Sequence, residues 1–372
     1  MKSRSLVWIP ATVLVLAGAC SLAVDLDGLS GAPPSGGDAG ADDDAGPTGC
    51  AHVTYPPPPA SAAEGGDIDF TVAVRAIDIG EGTSNTTGLD LDKTCTCHFN
   101  EGASCIYPPY SADKDHCDDP EGRDNSIAKL FETFSLFIGQ DEFGSKHFSD
   151  RAEMGRWSLL IRVYGYNGEP DDAQVTLAIY PTGWNDAALP APAWDGNDVW
   201  PASAASLEDG VSLEKPRFTD PKAYVSGGVL VGTLPEVLLN LSGTSGDLGV
   251  RLTAGTLMGR IEKTGDRYNL TGSVIAARWK ATDLFRVTSS IEVNDKPLCN
   301  DGSFEYKQFK EIVCGHVDIA SSLGAPSTVC DALSFGMNFS TEPALLGTPY
   351  TPDVDPPPCS PEQDPANDSC DL

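Results

Sequence analysis

Positive charge is scarce in this sequence. Its 372 residues include 24 Lys and Arg against 54 Asp and Glu, which gives a formal net charge of −30 at pH 7. A surface this acidic repels the phosphates of nucleic acids and anionic lipid head groups, so we expect neither as a partner. Residues 21–63 and 350–372 contain no Lys or Arg at all. The two terminal segments are therefore especially acidic.

Long apolar runs are missing after the N-terminus. A transmembrane helix needs about 20 predominantly apolar residues, and the most apolar later segment, residues 227–241, contains Pro235 and Glu236. The apolar run at the start, residues 6–16, would be about 16 Å long as a helix, roughly half the hydrocarbon core. This run is therefore typical of a removable signal and not of a permanent anchor.

Familiar catalytic motifs are also missing. The sequence has no G-x-S-x-G elbow, no H-E-x-x-H motif, no Walker loop and no dinucleotide fingerprint. Ser126 and Lys129 match S-x-x-K, and residues 263–265 match K-T-G, a pair found in penicillin-binding serine enzymes. No S-x-N or Y-x-N element lies between them, and residues 263–266 are typical of a hairpin tip. We therefore do not predict that activity.

The residues before Cys20 predict how the mature protein begins. Lys2 and Arg4 precede the apolar run and Ala-Gly-Ala follows it, the order found in an export signal. A Cys directly after small residues is typical of a bacterial lipoprotein, so we expect a signal peptide over residues 1–19 and lipidation of Cys20. Ser21, which is not Asp, favours the outer membrane. Plain cleavage that releases a soluble protein is the alternative.

Composition divides the rest of the chain into three parts. Residues 20–63 are rich in Asp, Gly and Ala and end in four consecutive prolines, 56–59. Such residues bury little apolar surface, so we expect a disordered acidic spacer here. We expect the folded body over residues 64–349, as one large β domain or two smaller ones. An acidic, Pro-rich tail follows over residues 350–372.

Cysteine is abundant. Of eleven cysteines, a lipidated Cys20 leaves ten, an even number that suits five disulfides in an exported chain. The ten fall in two groups and the tail: Cys50, Cys95, Cys97, Cys105 and Cys117; Cys299, Cys314 and Cys330; Cys359 and Cys370. We expect bridges within residues 95–117. The tail is expected to be tied down by a bridge between its own cysteines or by bridges to Cys50 or Cys330.

Short alternating segments predict the fold class. Apolar residues alternate over residues 68–74 and change phase near Arg75, which indicates a strand with a bulge. Residues 127–138 follow a helical period, and residues 157–166 and 174–181 form a predicted hairpin. Further strands are predicted at 223–233, 236–241, 249–254, 256–263, 268–278 and 333–339, and short helices at 283–291 and 304–313. The pattern favours a mainly β fold, a jelly-roll-like β-sandwich with a few short helices, braced by disulfides.

Two acidic loops suggest a cation site. Ca²⁺ takes six to eight hard oxygen ligands, and carboxylates are concentrated on both sides of the cysteine-rich loop. The candidate ligands are Asp90, Asp92, Asp119, Glu121 and Asp124. Their spacing is not that of an EF-hand loop. The alternative is that Asp124 only caps the following helix while the others are solvated turn residues.

Three tryptophans lie in a loop rich in Pro, Gly and Asp. Trp184, Trp194 and Trp200 fall outside any predicted strand. Exposed indole rings can stack on the faces of sugar rings, so these residues are candidates for glycan binding. The alternative is that they fold back over the core as a lid.

The front of the chain resembles surface lipoproteins of myxobacteria. The resemblance rests on Cys20, the Asp/Gly/Ala spacer, Gly-Leu-Asp-Leu-Asp at 88–92, Gly-Arg-Asp-Asn at 122–125 and Tyr-Gly-Tyr-Asn-Gly at 164–168. It implies a location at the cell surface and brings no activity with it.

The sequence therefore predicts a cell-surface lipoprotein that acts as a non-enzymatic binding or adhesion module. Glycan is the favoured ligand, Ca²⁺ is a candidate cation, and the membrane is contacted through the lipid on Cys20. The alternative is a secreted hydrolase acting on envelope or environmental polysaccharide. The sequence does not fix the oligomeric state.

Overall fold

The computed structural model describes residues 49–82, 86–98, 101–112, 114–138, 144–183, 191–242, 247–294, 296–322, 328–351 and 357–370. The predicted signal peptide, Cys20 and Trp184 lie outside the described residues. No helix in the described ranges has both the length and the apolar character that crossing a membrane requires.

Eleven strands and four helices make up the described structure. The strands are β1 (Ile68–Asp78), β2 (Ser158–Tyr166), β3 (Asp172–Thr182), β4 (Val199–Trp200), β5 (Phe218–Ser226), β6 (Val229–Ser242), β7 (Asp247–Thr264), β8 (Arg267–Lys280), β9 (Glu292–Val293), β10 (Lys296–Pro297) and β11 (Ala332–Leu346). The helices are α1 (Ser126–Ile138), α2 (Ser145–Glu153), α3 (Ala281–Thr288) and α4 (Phe304–Gly315). The predicted mainly β fold with a few short helices is confirmed.

One large sheet dominates the fold. Its strand order is β1-β2-β3-β5-β6-β7-β8-β11-β4, and β1 also pairs with β11. The sheet therefore closes on itself through eight antiparallel strands. Its opposite halves cover the core from two sides, as the layers of a sandwich do. Neighbouring strands of the closed part follow chain order. This is a meander connectivity, and it differs from the crossing connections of the jelly roll suggested by the sequence.

Strand β1 contains the bulge that its sequence predicts. Phe70, Val72 and Val74 are buried on one phase, and Ile77 is buried on the other. The pairing of β1 with β11 shifts register between Val74 and Ala76, because an extra residue in one strand moves the following side chains to the opposite face. The change of hydrophobic phase near Arg75 therefore marked a real bulge.

The sequence-based boundaries of β5, β6 and β7 need correction. Residues 223–233 were expected to be one strand, but Gly227 and Gly228 have φ values of 57° and 82°. They form the tight turn between β5 and β6, a conformation that glycine adopts without steric cost. Conversely, the predicted strands 249–254 and 256–263 form the single strand β7, with a register irregularity between Thr253 and Thr256.

Both faces of the sheet are covered. The interior is filled by a large apolar cluster that includes Leu230 and Ile275. Val231 and Val274 alternate with these residues and so lie on the outer face, where Val53 packs in the same small cluster. A second outer cluster is formed by Ala73, Leu160, Ala178, Tyr180, Trp200, Ala202, Leu207 and Ala344. Loop segments thus cover parts of the sheet that would otherwise be exposed.

Five disulfides connect distant parts of the chain. The pairs are Cys50–Cys95, Cys97–Cys117, Cys105–Cys330, Cys299–Cys359 and Cys314–Cys370. The expected bridges confined to residues 95–117 are found only for Cys97–Cys117. The tail cysteines pair neither with each other nor with Cys50 or Cys330. They pair instead with Cys299, which precedes α4, and with Cys314 in the last turn of α4. The tail runs back over this helix, where Asp368 accepts a hydrogen bond from Lys310 at 2.7 Å.

The expected spacer extends into the folded body. Residues 49–63 lie within the described structure, Cys50 is bonded to Cys95 and Val53 is buried. Tyr224 donates a hydrogen bond to the carbonyl oxygen of Pro56 at 2.6 Å. Residues 50–56 therefore contact the folded body.

A close contact between two glycines predicts a packing-sensitive position. A Cβ atom at Gly336 of β11 would lie 2.7 Å from the Cα atom of Gly88 and 3.0 Å from Cγ of Asn125. We expect Gly336→Ala to lower the free energy of unfolding by about 1–3 kcal/mol through overpacking, measured by urea denaturation. Gly102→Ala is the control, since a Cβ there meets nothing within 4 Å. Equal stability of the two variants would contradict this prediction.

Candidate functional site

Carboxylates from three segments converge beside the start of α1. We define the acidic centre as Asp90, Asp92, Asp118, Asp124 and Asp318. Carboxylate oxygens of Asp90, Asp92 and Asp124 all lie within 4.8 Å of one another, and the charges of Asp118 and Asp318 act on Asp124. The disulfide Cys97–Cys117 joins two of these segments. Covalent bridging therefore helps to hold like charges close together.

Backbone amides orient every carboxylate of the acidic centre. The donor and acceptor pairs, at 2.6 to 3.0 Å, are Leu91 to Asp124, Lys93 to Asp90, Thr94 to Asp92, Thr96 to Asp118 and Ser334 to Asp318. Ser126, the first residue of α1, also donates its hydroxyl to Asp318 at 2.9 Å. Asp124 thus binds the amide of the neighbouring loop.

The backbone around the acidic centre is strained. Lys93, Cys97 and Glu121 have φ values of 64°, 70° and 67°, a left-handed region that costs residues with a side chain free energy. Two of these residues lie between Asp92 and Asp118, and the third lies just before Asp124. Disulfides and amide hydrogen bonds therefore maintain a loop geometry that the isolated segments would not favour.

Burial raises the pKa values of four carboxylates of the acidic centre. Burial, followed by the charges of Asp92 and Asp318, raises the pKa of Asp118 to about 8. Burial raises the pKa of Asp124 well above its ordinary value, and the charges of Asp92 and Asp118 act in the same direction. Burial also raises the pKa values of Asp90 and Asp318. At neutral pH the centre therefore requires protons or a cation.

Two basic side chains approach the acidic centre. His52 contacts the Asp90 carboxylate through Nδ1. Arg278 of β8 is only 3 % exposed, and its guanidinium donates to the Leu91 carbonyl oxygen at 2.7 Å. Burial lowers the pKa of Arg278, while the nearby Asp124 opposes that effect. The single charge of Arg278 compensates only part of the negative charge of the acidic centre.

The other two predicted calcium ligands lie outside the close cluster. Glu121 is exposed and forms an ion pair with Arg123, with 2.8 Å between Oε2 and Nη2. Asp119 is buried, and its amide donates to the Arg123 carbonyl oxygen at 3.0 Å. The structure therefore brings Asp90, Asp92 and Asp124 together and directs Glu121 towards a basic partner.

Sequence reasoning missed Asp118, Asp318, Arg278 and His52. Asp118 directly follows Cys117, and its position between two predicted ligand segments was a usable local signal. Asp318 and Arg278 are separated from the acidic loops by more than 150 residues of sequence. Only the pairing of β8 with β11 brings these two residues to the centre, since Ser334, which binds Asp318, is the register partner of Arg278.

A small cavity adjoins the acidic centre. Its volume is about 20 Å³, and its walls include Asp118, Asp318, His116, His316 and Lys129. A cavity of this size holds about one water molecule or one ion. The cavity thus offers room for a small inorganic ligand beside two half-buried carboxylates.

Two of the three tryptophans predicted for the glycan site lie in the described residues, and both pack against the body. Trp200 is fully buried, and its ring lies 5.3 Å from that of the half-buried Trp194. The Trp194 indole N–H donates to the Glu153 carbonyl oxygen at 3.0 Å, and Arg75 lies over its ring. Trp200 therefore cannot stack on a sugar, which corrects that part of the predicted glycan site. Trp184 lies outside the described residues.

The S-x-x-K and K-T-G segments are far apart. Ser126 contacts Ser334, the register partner of Arg278, whereas Lys263 pairs with Tyr268 at the other end of β8. Ten residues of strand separate these points, roughly 30 Å at the usual rise per residue. The two motifs therefore do not form one active site, in agreement with the sequence analysis.

The chain matches no protein-family model, no curated protein and no solved structure. The resemblance to myxobacterial surface lipoproteins stays a prediction.

Proposed function

We propose that this chain is an exported lipoprotein, anchored through a lipid on Cys20, that displays a non-enzymatic binding module at the bacterial cell surface. Glycans are its ligand class, and Ca²⁺ is the cation of its acidic centre. The signal-like residues before Cys20 support the location. Five disulfides also support it, since such bridges persist in oxidising compartments outside the cytoplasm.

The size of the polar cavity supports binding over catalysis. Its volume of about 20 Å³ is far below the several hundred Å³ of a usual ligand pocket. A single ion can enter this space, but a sugar ring cannot reach Asp118 or Asp318 through it. Asp118 and Asp318, whose raised pKa values would suit the general acid of a glycosidase, thus line a space that is too small for a sugar ring. This observation favours a binding module over the alternative of a polysaccharide hydrolase.

The ligand atoms of the acidic centre support Ca²⁺ as its cation. Ca²⁺ prefers hard oxygen ligands in a flexible arrangement, and Asp90, Asp92 and Asp124 present their carboxylate oxygens within 4.8 Å of one another. Zinc sites are built mainly from thiolate and imidazole ligands, and His52 is the one imidazole that contacts Asp90, Asp92 or Asp124 among the described residues. The nearby cysteines are bonded as Cys50–Cys95 and Cys97–Cys117, so thiolates are not available to it.

Binding without turnover is the expected result for the mature chain. We expect it to bind at least one class of glycan on an array, with the affinity then measured by titration calorimetry, and to release no reducing ends from envelope polysaccharides. Asp118→Asn is the matched variant, because this substitution should leave glycan binding unchanged. Release of reducing ends that disappears in Asp118→Asn would instead support the hydrolase, and an array without any bound glycan would contradict the ligand class.

A further inference from the structure

A groove of suitable size lies at the end of the closed sheet opposite the acidic centre. It is bordered by residues 69–71 of β1, the hairpin tip at 266–268, residues 343–346 of β11 and the loop residues Gly196 and Asn197. Its volume is about 350 Å³, within the range of small-ligand sites. Strand β8 separates it from the acidic centre, since it lies at the Tyr268 end while Arg278 lies at the other. The groove is therefore a distinct place on the molecule.

An aromatic ring with a fixed orientation lines the groove. Tyr268 is half-buried, and its ring stacks on the buried Phe70 with 5.2 Å between ring centroids and 25° between planes. The ring of Tyr166 meets it edge-on at 6.1 Å. Because Phe70 covers one face, the ammonium group of the exposed Lys263, 5.2 Å from the centroid, lies over the other. A flexible, solvated ammonium group can move aside, which leaves a preorganised ring face for a ligand.

Hydrogen-bond donors and acceptors lie around the Tyr268 ring. Arg267 donates to the side-chain oxygen of Asn197 at 2.7 Å and also to the Asp195 carbonyl oxygen. Gly196 permits this approach, because a Cβ there would lie 1.8 Å from Nη1 of Arg267. Asp266 is exposed at the hairpin tip. Carboxylate acceptors and guanidinium and amide donors together match sugar hydroxyls, each of which can donate and accept.

The charge around the groove selects the class of sugar. Asp69 lies on its border, held by two hydrogen bonds from Arg162 at 3.2 and 2.7 Å. Asp69 and Asp266 offset the guanidinium groups of Arg162 and Arg267, so these cations do not outweigh the net charge of −30, which repels sulfated or carboxylated sugars. Neutral pyranoses have an apolar ring face and carry no charge, so they avoid this repulsion.

We infer that this groove is the glycan site of the module and that it binds a neutral pyranose residue stacked on Tyr268. Asn197, Asp266 and Arg267 form the hydrogen bonds to the sugar hydroxyls. The inference rests on the proposed binding function and gives that function a location. It replaces Trp200 as the aromatic residue of the site.

The inference is tested by titrating the mature chain with the neutral glycan that gives the strongest array signal. We expect Tyr268→Ala to weaken binding at least about tenfold, equal to about 1.4 kcal/mol, and Tyr268→Phe, which keeps the ring, to stay within about threefold of wild type. Asp266→Ala, a change at an exposed hairpin tip, is expected to weaken binding without affecting the fold. Tyr55→Ala is the control, since Tyr55 is exposed and does not border the groove.

The possible results distinguish failure of the inferred site from failure of the proposed binding function. If the wild-type chain binds the glycan and both Tyr268→Ala and Asp266→Ala keep full affinity, the groove is not the site, while the proposed binding function stands. If the wild-type chain binds only sulfated or carboxylated glycans, the inferred ligand class is wrong. If it binds no glycan, the proposed function fails together with the inference. Thermal melting of each variant verifies that it is folded.

Discussion

Replacing Cys105 and Cys330 together by alanine is expected to lower the free energy of unfolding by about 5 kcal/mol. This bridge joins residues 225 positions apart, and the entropy of the unfolded chain that a bridge removes grows with the logarithm of the loop length. None of the other four bridges has both cysteines between residues 105 and 330. None of these four bridges is therefore nested within the loop in the unfolded state, and removing Cys105–Cys330 should lower the free energy of unfolding by the full amount.

The Cys97–Cys117 bridge provides the matched control. It closes a loop of only 20 residues, so Cys97→Ala with Cys117→Ala should lower stability by about 3 kcal/mol. Guanidinium denaturation of the non-reduced proteins measures both changes. A Cys105/Cys330 variant that is as stable as the Cys97/Cys117 variant would show that native packing, not loop length, determines the effect.

The periodicity of apolar residues predicted several single strands, a helix and a hairpin. The alternation over residues 68–74 indicated β1 and its bulge, and the helical period after Ser126 indicated α1. The predicted hairpin corresponds to β2 and β3, which pair antiparallel. The turn at Gly227 and Gly228 was not predicted, because apolar residues both before and after the two glycines suggested one continuous strand.

Long-range closure could not be predicted from local patterns. Nothing in β1 or β11 alone indicates that these strands, more than 250 residues apart, pair with each other. The same holds for the disulfides, since ten cysteines allow many pairings and local spacing suggested bridges within residues 95–117. Closure of the sheet decides which cysteines meet, and it brings Cys330 to Cys105.

The acidic centre was predictable only in part, for the same reason. Asp90, Asp92 and Asp124 lie in two loops close in sequence, so the concentration of acidic residues located them. Asp318 required knowledge of β11, and Glu121 was misjudged because its neighbour Arg123 binds it. Composition therefore indicated the kind of site, while the tertiary fold determined its members.

Calcium-free protein is expected to lose stability as the pH rises towards 8. The pKa of Asp118 is about 8 in the folded protein against an ordinary value of 3.8. Between these values the folded state keeps a proton that the unfolded state releases, so stability is full below pH 4 and declines as the pH rises through the folded pKa. After allowance for solvent screening of a partly exposed group, the loss is on the order of 2 kcal/mol. Asp124 and Asp318 change stability in the same direction, because their pKa values are also raised.

Calcium should reverse this loss. A cation that binds the ionised carboxylates of the folded state stabilises it by about 2.7 kcal/mol at a hundredfold excess over Kd. This corresponds to a rise in Tm of roughly 5 to 10 °C at pH 8. At pH 5 the cation competes with protons on Asp118 and Asp124, so the rise should be much smaller. Differential scanning calorimetry with EDTA or Ca²⁺, at both pH values and with the disulfides intact, measures these changes.

The variant Asp124→Asn is expected to change the Tm in the opposite direction in EDTA. The amide can still accept the Leu91 N–H through its oxygen, but it removes one negative charge from a buried cluster. We therefore expect this variant to melt above the wild-type protein in EDTA at pH 8 and to show no rise with Ca²⁺. Glu121→Gln is the control, because Glu121 is exposed and paired with Arg123, and it should keep the full calcium response. A wild-type Tm that is equal in EDTA and in Ca²⁺ at pH 8 would rule out a calcium site, because buried like charges gain stability from any cation that they bind.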